Sequence, residues 1–179
     1  MKRILLLCAG FIVAVPVYTL AMARLDLVTP PEMAASHLQA DLIHVDKSER
    51  VMALMRDGET IATYEISVGG AGDNGHKQRE GDERTPEGRY EIDWRNDGSF
   101  AYLSLHISYP NEADIAAAQL AGDDPGGFIM IHGIANGWGW VGNLHRKWDW
   151  TDGCIAVTNA EMREIWSLVP NDTPIEIEA

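Results

Sequence analysis

The sequence predicts a mainly β fold in one domain, with two or three short helices. Short apolar or alternating runs, separated by Gly, Asp and Asn turn signals, fill much of the chain between residues 41 and 133. Asp57-Gly58 between two such runs is a hairpin signal. Two longer stretches, opening at Asn111 and Thr158, carry helix caps and helical spacing. About 156 residues remain beyond an N-terminal leader, enough to bury a sizeable core without disulfides. No internal repeat, low-complexity tract or long linker divides them.

In order along the chain, residues 1–23 have the form of a secretory signal. Lys2 and Arg3 supply the positive start, residues 4–17 the apolar middle, and Ala21-Met22-Ala23 the small-residue cleavage site. The alternative is an uncleaved anchor, because residues 4–22 almost reach the length of a bilayer span, and membrane contact is expected only in that case. Leu7 before Cys8 is a poor lipoprotein signal. Residues 24–40 read as a lead-in, with Pro30-Pro31 before a short helical stretch around residues 32–38. Residues 41–47, 51–55 and 61–68 read as strands. Residues 69–81 are rich in Gly and charge, but no Gly-Lys-[Ser/Thr] follows, so they read as a surface loop and not a phosphate cradle. Strands are expected over residues 89–94 and 100–108, then a helix over 111–120 ending at Gly122. A turn at residues 123–127 leads into a strand ending at His132. Residues 136–150, with Trp138, Trp140, Trp148 and Trp150, are expected as a short helix and loop across the site. A last strand covers residues 174–177.

The chain carries 14 basic and 27 acidic residues, net −13. Losing residues 1–23 removes Lys2 and Arg3 and no acid, leaving 12 against 27, or −15. Such a surface repels phosphate backbones, which argues against a nucleic-acid partner.

The chemistry centres on Thr151-Asp152-Gly153-Cys154-Ile155-Ala156-Val157-Thr158-Asn159. Cys154 is one of two cysteines, and the other, Cys8, lies in the leader, so in an exported chain this thiol has no intramolecular partner. Gly153 lets the backbone approach a substrate closely. Ile155 and Val157 read as a short buried strand. Thr158-x-x-Glu161 is a capping box opening a helix in which Met162, Ile165, Trp166 and Val169 recur at helical spacing. Upstream, Ile129-Met130-Ile131-His132-Gly133 ends an apolar run on a histidine, the usual partner of a catalytic cysteine.

A histidine in an apolar strand followed by Gly, then [Ser/Thr]-x-Gly-Cys and an Asn, resembles the YkuD-type L,D-transpeptidases. Thr85-Pro86-Glu87-Gly88-Arg89-Tyr90 resembles a second element of that family, Thr-Pro-x-Gly-x-[Phe/Tyr]. The resemblance covers residues 41–178, and the wording from Thr151 to Asn159 looks most like the YafK-type branch. It implies a YkuD-like β-sandwich over residues 41–179, where composition and periodicity stop at a β-rich single domain. It also implies an enzyme of the periplasm or cell envelope acting on peptidoglycan stem peptides, with no cofactor and no metal. The donor would be a stem tetrapeptide cleaved before its terminal D-alanine, and the acceptor the side-chain amine of a diamino acid in a neighbouring stem.

In this reading Cys154 is the nucleophile, His132 the general base and acid, and the Gly153-Cys154 backbone the oxyanion donor. Gly133, His145, Arg146, Thr151 and Asn159 are substrate-binding candidates. Asp152 stands where the family often has His. A carboxylate there could stabilise a cationic His132, attract an amine acceptor or cap the turn. Ala156 stands where the family often has an Arg suited to a substrate carboxylate. Donor recognition then falls to another basic residue, such as Lys77, Arg79, Arg84, Arg146 or Lys147, or the donor differs.

Other readings stay open at this point. One is an amidase on the same scaffold that cuts the linkage between peptidoglycan and a wall-linked protein. Another is a non-catalytic wall-binding module. A metal site would take His132, His145 and Cys154 with Asp149 or Asp152, at spacings that match no compact zinc pattern. The tryptophans suit core or lid packing better than a glycan platform. His37, His44, His76 and His106 have no partner that the sequence argues for.

Overall fold

Asp57 and Gly58 both take positive φ, 52° and 80°, as a two-residue hairpin turn requires, and join β2 (Val51–Arg56) to β3 (Glu59–Glu65). The computed structural model describes residues 28–72 and 75–179, together with Val15, residues 17–19, Ala21 and Met22. The leader expected at residues 1–23 falls largely outside the described residues, as does Cys8. Among the described residues no helix is long and apolar enough to cross a membrane.

Among the described residues, eight strands form one sheet in the order β3-β2-β1-β8-β4-β5-β6-β7. β1 is Leu42–Asp46, β4 Gly88–Asn96, β5 Ser104–Ile107, β6 Met130–His132, β7 Ile155–Ala156 and β8 Thr173–Glu178. The last strand lies in the middle, parallel to β1 and antiparallel to β4. Past β3, Ser67 bridges Ala156 and Gly69 bridges Thr151, so the two edges of the sheet meet. The expected mainly β fold is therefore built from a single curled sheet. Alternation selects its inner face: Ile43 and Val45, Met52 and Leu54, Ile175 and Ile177 are all buried.

Helices over Glu112–Ala121 and Asn159–Leu168 flank the sheet. In α1 (Glu112–Ala121), the Asn111 side chain accepts from Ala113 and Asp114 N–H while Asp114 accepts from Asn111 N–H, and Gly122 closes the helix at φ 78°. In α2 (Asn159–Leu168), Thr158 and Glu161 form the expected capping box. Met162, Ile165 and Trp166 are buried, each contributing about 1.5–3 kcal/mol. Arg95 of β4 donates to the carbonyls of Trp166 and Val169, and its guanidinium lies 4.1 Å from the Trp166 ring centroid. α2 packs against β5, the neighbour of the strand that carries His132.

Several expectations are corrected. Residues 100–103 do not extend a strand, because Asn136 takes their hydrogen bonds. Its Oδ1 accepts from Tyr102 N–H, its Nδ2 donates to Ser99 O, and its N–H donates to Phe100 O. The stretch around 32–38 reduces to one 3₁₀ turn, Ser36–Leu38. Three of the histidines without an argued partner have carboxylates: His44 pairs with Glu178 at 3.1 Å, His76 with Asp114 at 3.1 Å, and His106 with Asp93 at 2.6 Å. Residues 69–72 and 75–87 are irregular and are held by buried lysines. The fully buried Lys47 donates to Gly75 O, Thr85 O and Glu87 Oε1, and buried Lys77 pairs with Asp82.

Candidate active site

Gly153 sets the turn before the thiol. Its φ is +123°, and a Cβ there would stand 2.6 Å from the Arg84 carbonyl oxygen, so only glycine fits both the backbone and the space. Thr151 locks the same turn, donating from Oγ1 to Cys154 O at 2.6 Å and accepting from Gly153 N–H at 3.3 Å. Cys154 follows directly and leads into β7. Its Sγ receives Met130 N–H at 3.4 Å and lies 3.7 Å from Phe128 O. Burial pushes the thiol pKa up. Met130 N–H pulls it down, the Asp152 carboxylate raises it and Lys77 lowers it.

His132 ends β6, next to β7 in parallel register, with Ile131 opposite Ile155 and His132 opposite Ala156. It is 8% exposed, and Nδ1 donates to Gly133 O at 2.6 Å, which leaves Nε2 as the ring's acceptor. Burial lowers its pKa, partly offset by that backbone bond. Cys154 and His132 open into one cavity of about 250 Å³, with Asn96, Phe100, Ser104 and Met130 among its walls. Both shifts favour the uncharged forms, a thiol and an imidazole. That state suits proton transfer at the moment of attack rather than a standing thiolate.

The other site candidates divide. Asp152 is exposed and lines a second cavity, of about 380 Å³, with Lys77, Glu80, Gly126 and Phe128. Gly133 abuts Tyr102 and Asn159; a Cβ there would stand 2.7 Å from Asn159 Oδ1. Asn159 accepts from Ile134 N–H at 2.7 Å and so holds the segment after His132. Thr151, 6% exposed, uses its hydroxyl within the turn. Buried His145 accepts Trp150 Nε1–H at Nδ1, 3.3 Å away, and Trp150 stands edge-on to the His132 ring at 5.8 Å. Burial, then neighbouring Arg146, brings the His145 pKa down to about 4. Arg146 is tied to Glu65 and Glu161.

The zinc arrangement is not assembled. His145 Nδ1 faces Trp150, and Asp149 takes Arg50 on both oxygens and Val68 N–H. No three His, Cys, Asp or Glu side chains group as a metal site among the described residues. Of the basic residues weighed for a donor carboxylate, Lys77 and Arg146 are held by their own carboxylates. Arg79 and Arg84 line a cavity of about 590 Å³ on the loop beneath Gly153.

Sequence reasoning missed Met130, Asn136 and Trp150 as site-forming residues. The apolar run contained Met130 and the Trp-rich stretch Asn136 and Trp150, but nothing local marked which backbone N–H meets the sulfur or which indole meets His132.

The family model described as YkuD, L,D-transpeptidase catalytic domain, matches residues 40–177. Among solved structures, the fold is similar to that of the helical cell shape determining protein Pgp2 from Campylobacter jejuni. That match has 21% identity and a TM-score of 0.58, and covers 89% of this chain and 55% of that one. It is also similar to Bd1075 from Bdellovibrio bacteriovorus, with 23% identity, TM-score 0.54, and 82% of this chain and 51% of that one covered. An L,D-transpeptidase from Xylanimonas cellulosilytica matches at 17% identity and TM-score 0.50, over 87% of this chain and 68% of that one. The chain spans about half the length of the first two. No curated protein matches significantly.

Proposed function

The chain belongs to the YkuD family of L,D-transpeptidase catalytic domains, and from that premise we propose that it is a cysteine acyltransferase acting on peptidoglycan stem peptides. Cys154 Sγ attacks the carbonyl carbon before the terminal D-alanine as its proton passes to His132 Nε2. The tetrahedral oxyanion collapses, the C–N bond breaks, and His132 returns the proton to the departing amine. An acceptor amine then attacks the thioester carbon, the new amide forms, and the thiol is regenerated. The observation that carries this reading is that Cys154, just before β7, and His132, at the end of the adjacent parallel strand β6, open into one cavity while Nδ1 of the histidine is held by Gly133 O.

The same geometry distributes the supporting roles. Because Gly153 N–H already meets Thr151, oxyanion stabilisation falls to Cys154 N–H and the groups beside it, a role worth roughly 3–4 kcal/mol per donor in other enzymes. The second cavity lies across Phe128 from the sulfur, and its carboxylates Glu80 and Asp152 suit a cationic acceptor amine. Export to the periplasm or envelope, with residues 1–23 as leader, places the enzyme with this substrate. The likeness in fold to a cell shape determining protein accords with a part in wall remodelling.

Mass spectrometry of purified tetrapeptide muropeptides incubated with the protein, with and without a diamino-acid acceptor, tests this. A Cys154-linked acyl-enzyme and exchanged or cross-linked products are expected, and Cys154→Ala gives neither. Release of a wall-linked protein with no exchange at any acceptor concentration would instead establish the amidase. Turnover retained by Cys154→Ala would remove the cysteine mechanism.

A further inference from the structure

The outward face of the sheet beside Cys154 carries an aromatic row that the reaction above does not use. Trp94 on β4 lies opposite His106 on β5, and His106 lies opposite Met130 on β6. Met130 N–H in turn meets Cys154 Sγ. Leu105, Ile131 and Ile155, the residues that alternate with this row, are fully buried, so the row faces the other side. The Trp94 indole stacks on the His106 imidazole at 4.9 Å and 19°, and Phe128 meets His106 edge-on at 6.2 Å. Asp93 fixes the imidazole by taking Nδ1 at 2.6 Å. Trp94 is still 36% exposed and Phe128 77% exposed. Phe128 is also held at φ 56°, which a bulky side chain avoids unless the surroundings enforce it. Single exposed apolar residues are ordinary, but a stacked and braced set next to a reactive thiol is not.

We infer that Trp94, backed by His106 and flanked by Phe128, is a stacking subsite for the N-acetylated hexosamine that carries the stem peptide. This rests on the reading that a stem peptide carbonyl is delivered to Cys154. The distances agree. Three strand-to-strand steps separate Trp94 from Cys154, about 14 Å at the usual spacing. Three stem residues precede the scissile bond, about 10 Å when extended, and the atoms joining the stem to its sugar supply the remainder. The chemistry agrees as well. A hexopyranose presents one face of C–H bonds that lies flat on an indole, while the Asp93–His106 pair at the edge can meet its hydroxyl and acetamido groups. The enzyme then recognises the sugar end of its donor with aromatic surface, which needs no guanidinium at position 156.

The test measures binding to full-length Cys154→Ala protein, where no chemistry intervenes. Calorimetry compares a disaccharide-tetrapeptide with the same tetrapeptide lacking its sugars. The sugar-bearing compound is expected to bind about tenfold tighter, the scale of one good aromatic contact. Adding Trp94→Ala brings that ratio to about one, and Trp94→Phe, which keeps an aromatic face and guards against a folding defect, retains part of it. A ratio of one in the parent, or a ratio that survives in both Trp94 variants, overturns the subsite. So does a dimer in sedimentation that Trp94→Ala dissolves, since this face would then bind a second copy of the chain. If the sugar preference holds but no thioester forms on wild-type Cys154, the subsite stands and the reaction proposed above fails.

Discussion

Burial acts in opposite directions on the two groups proposed to react. It holds the Cys154 thiol above its ordinary pKa and the His132 imidazole below its own. An imidazole accepts the proton only when neutral, so the acid limb of kcat/KM is expected below the ordinary histidine value near 6.5. The alkaline limb, where the free thiolate forms, is expected above the ordinary thiol value, and the rate is flat between them. Asp152→Asn removes a charge that raises the thiol, so it moves the alkaline limb down and leaves the acid limb in place. A pH–rate profile of both proteins checks this, and a single limb near 6.5 in each would contradict it. His132→Ala is expected to slow acylation by about 10²–10⁴-fold, measured by rapid-quench mass spectrometry. Gly153→Ala forces a Cβ against the Arg84 carbonyl at an angle that L residues rarely adopt, and is expected to destabilise by about 1–3 kcal/mol in urea unfolding. Cys154, Gly153 and His132 were legible because their signal is local: a glycine next to the thiol, a histidine closing an apolar run. Asn136 and Met130 were not, because their partners lie 24 or more positions away, as with Met130 and Cys154 or Asn136 and Tyr102.

Among the elements, α2 ties the curled sheet to the site. Thr158 caps it, Asn159 reaches from its first turn to Ile134, and Arg146 joins Glu161 on it to Glu65 on β3. Thr158→Ala removes the cap and is expected to cost about 1 kcal/mol, lowering Tm by roughly 2–4 °C in a chain of this size. Calorimetry checks it, and an unchanged Tm would mean that packing of Met162, Ile165 and Trp166 alone fixes the helix. The cap and the helical spacing could be read directly from Thr158-x-x-Glu161, as could the hairpin at Asp57-Gly58. Residues 100–103 misled because Tyr102 and Leu103 have strand composition, whereas Tyr102 N–H goes to the side chain of Asn136, 34 positions on.

At the scale of the whole molecule, buried titratable groups set how stability follows pH. His145 accepts Trp150 Nε1–H and lies near His132, Arg146 and Glu161. Its pKa falls to about 4, first from burial and then from Arg146. The unfolded chain takes up this proton near pH 6.5 and the folded chain only near 4, so the contribution is complete above 6.5 and is lost as pH falls through that window. His145→Gln is expected to flatten the fall in urea midpoint between pH 6.5 and 4.5. An unchanged slope would assign the effect to other groups.

The central position of β8 has its own consequence. Strands β3-β2-β1 and β4-β5-β6-β7 share no ladder until residues 173–178 enter between them. Without β8, the two half-sheets meet only through the Ser67–Ala156 and Gly69–Thr151 bridges, and the facing edges of β1 and β4 stay unpaired. A protease that removes residues 173–178 bares both of those edges at once, and such edges recruit other chains.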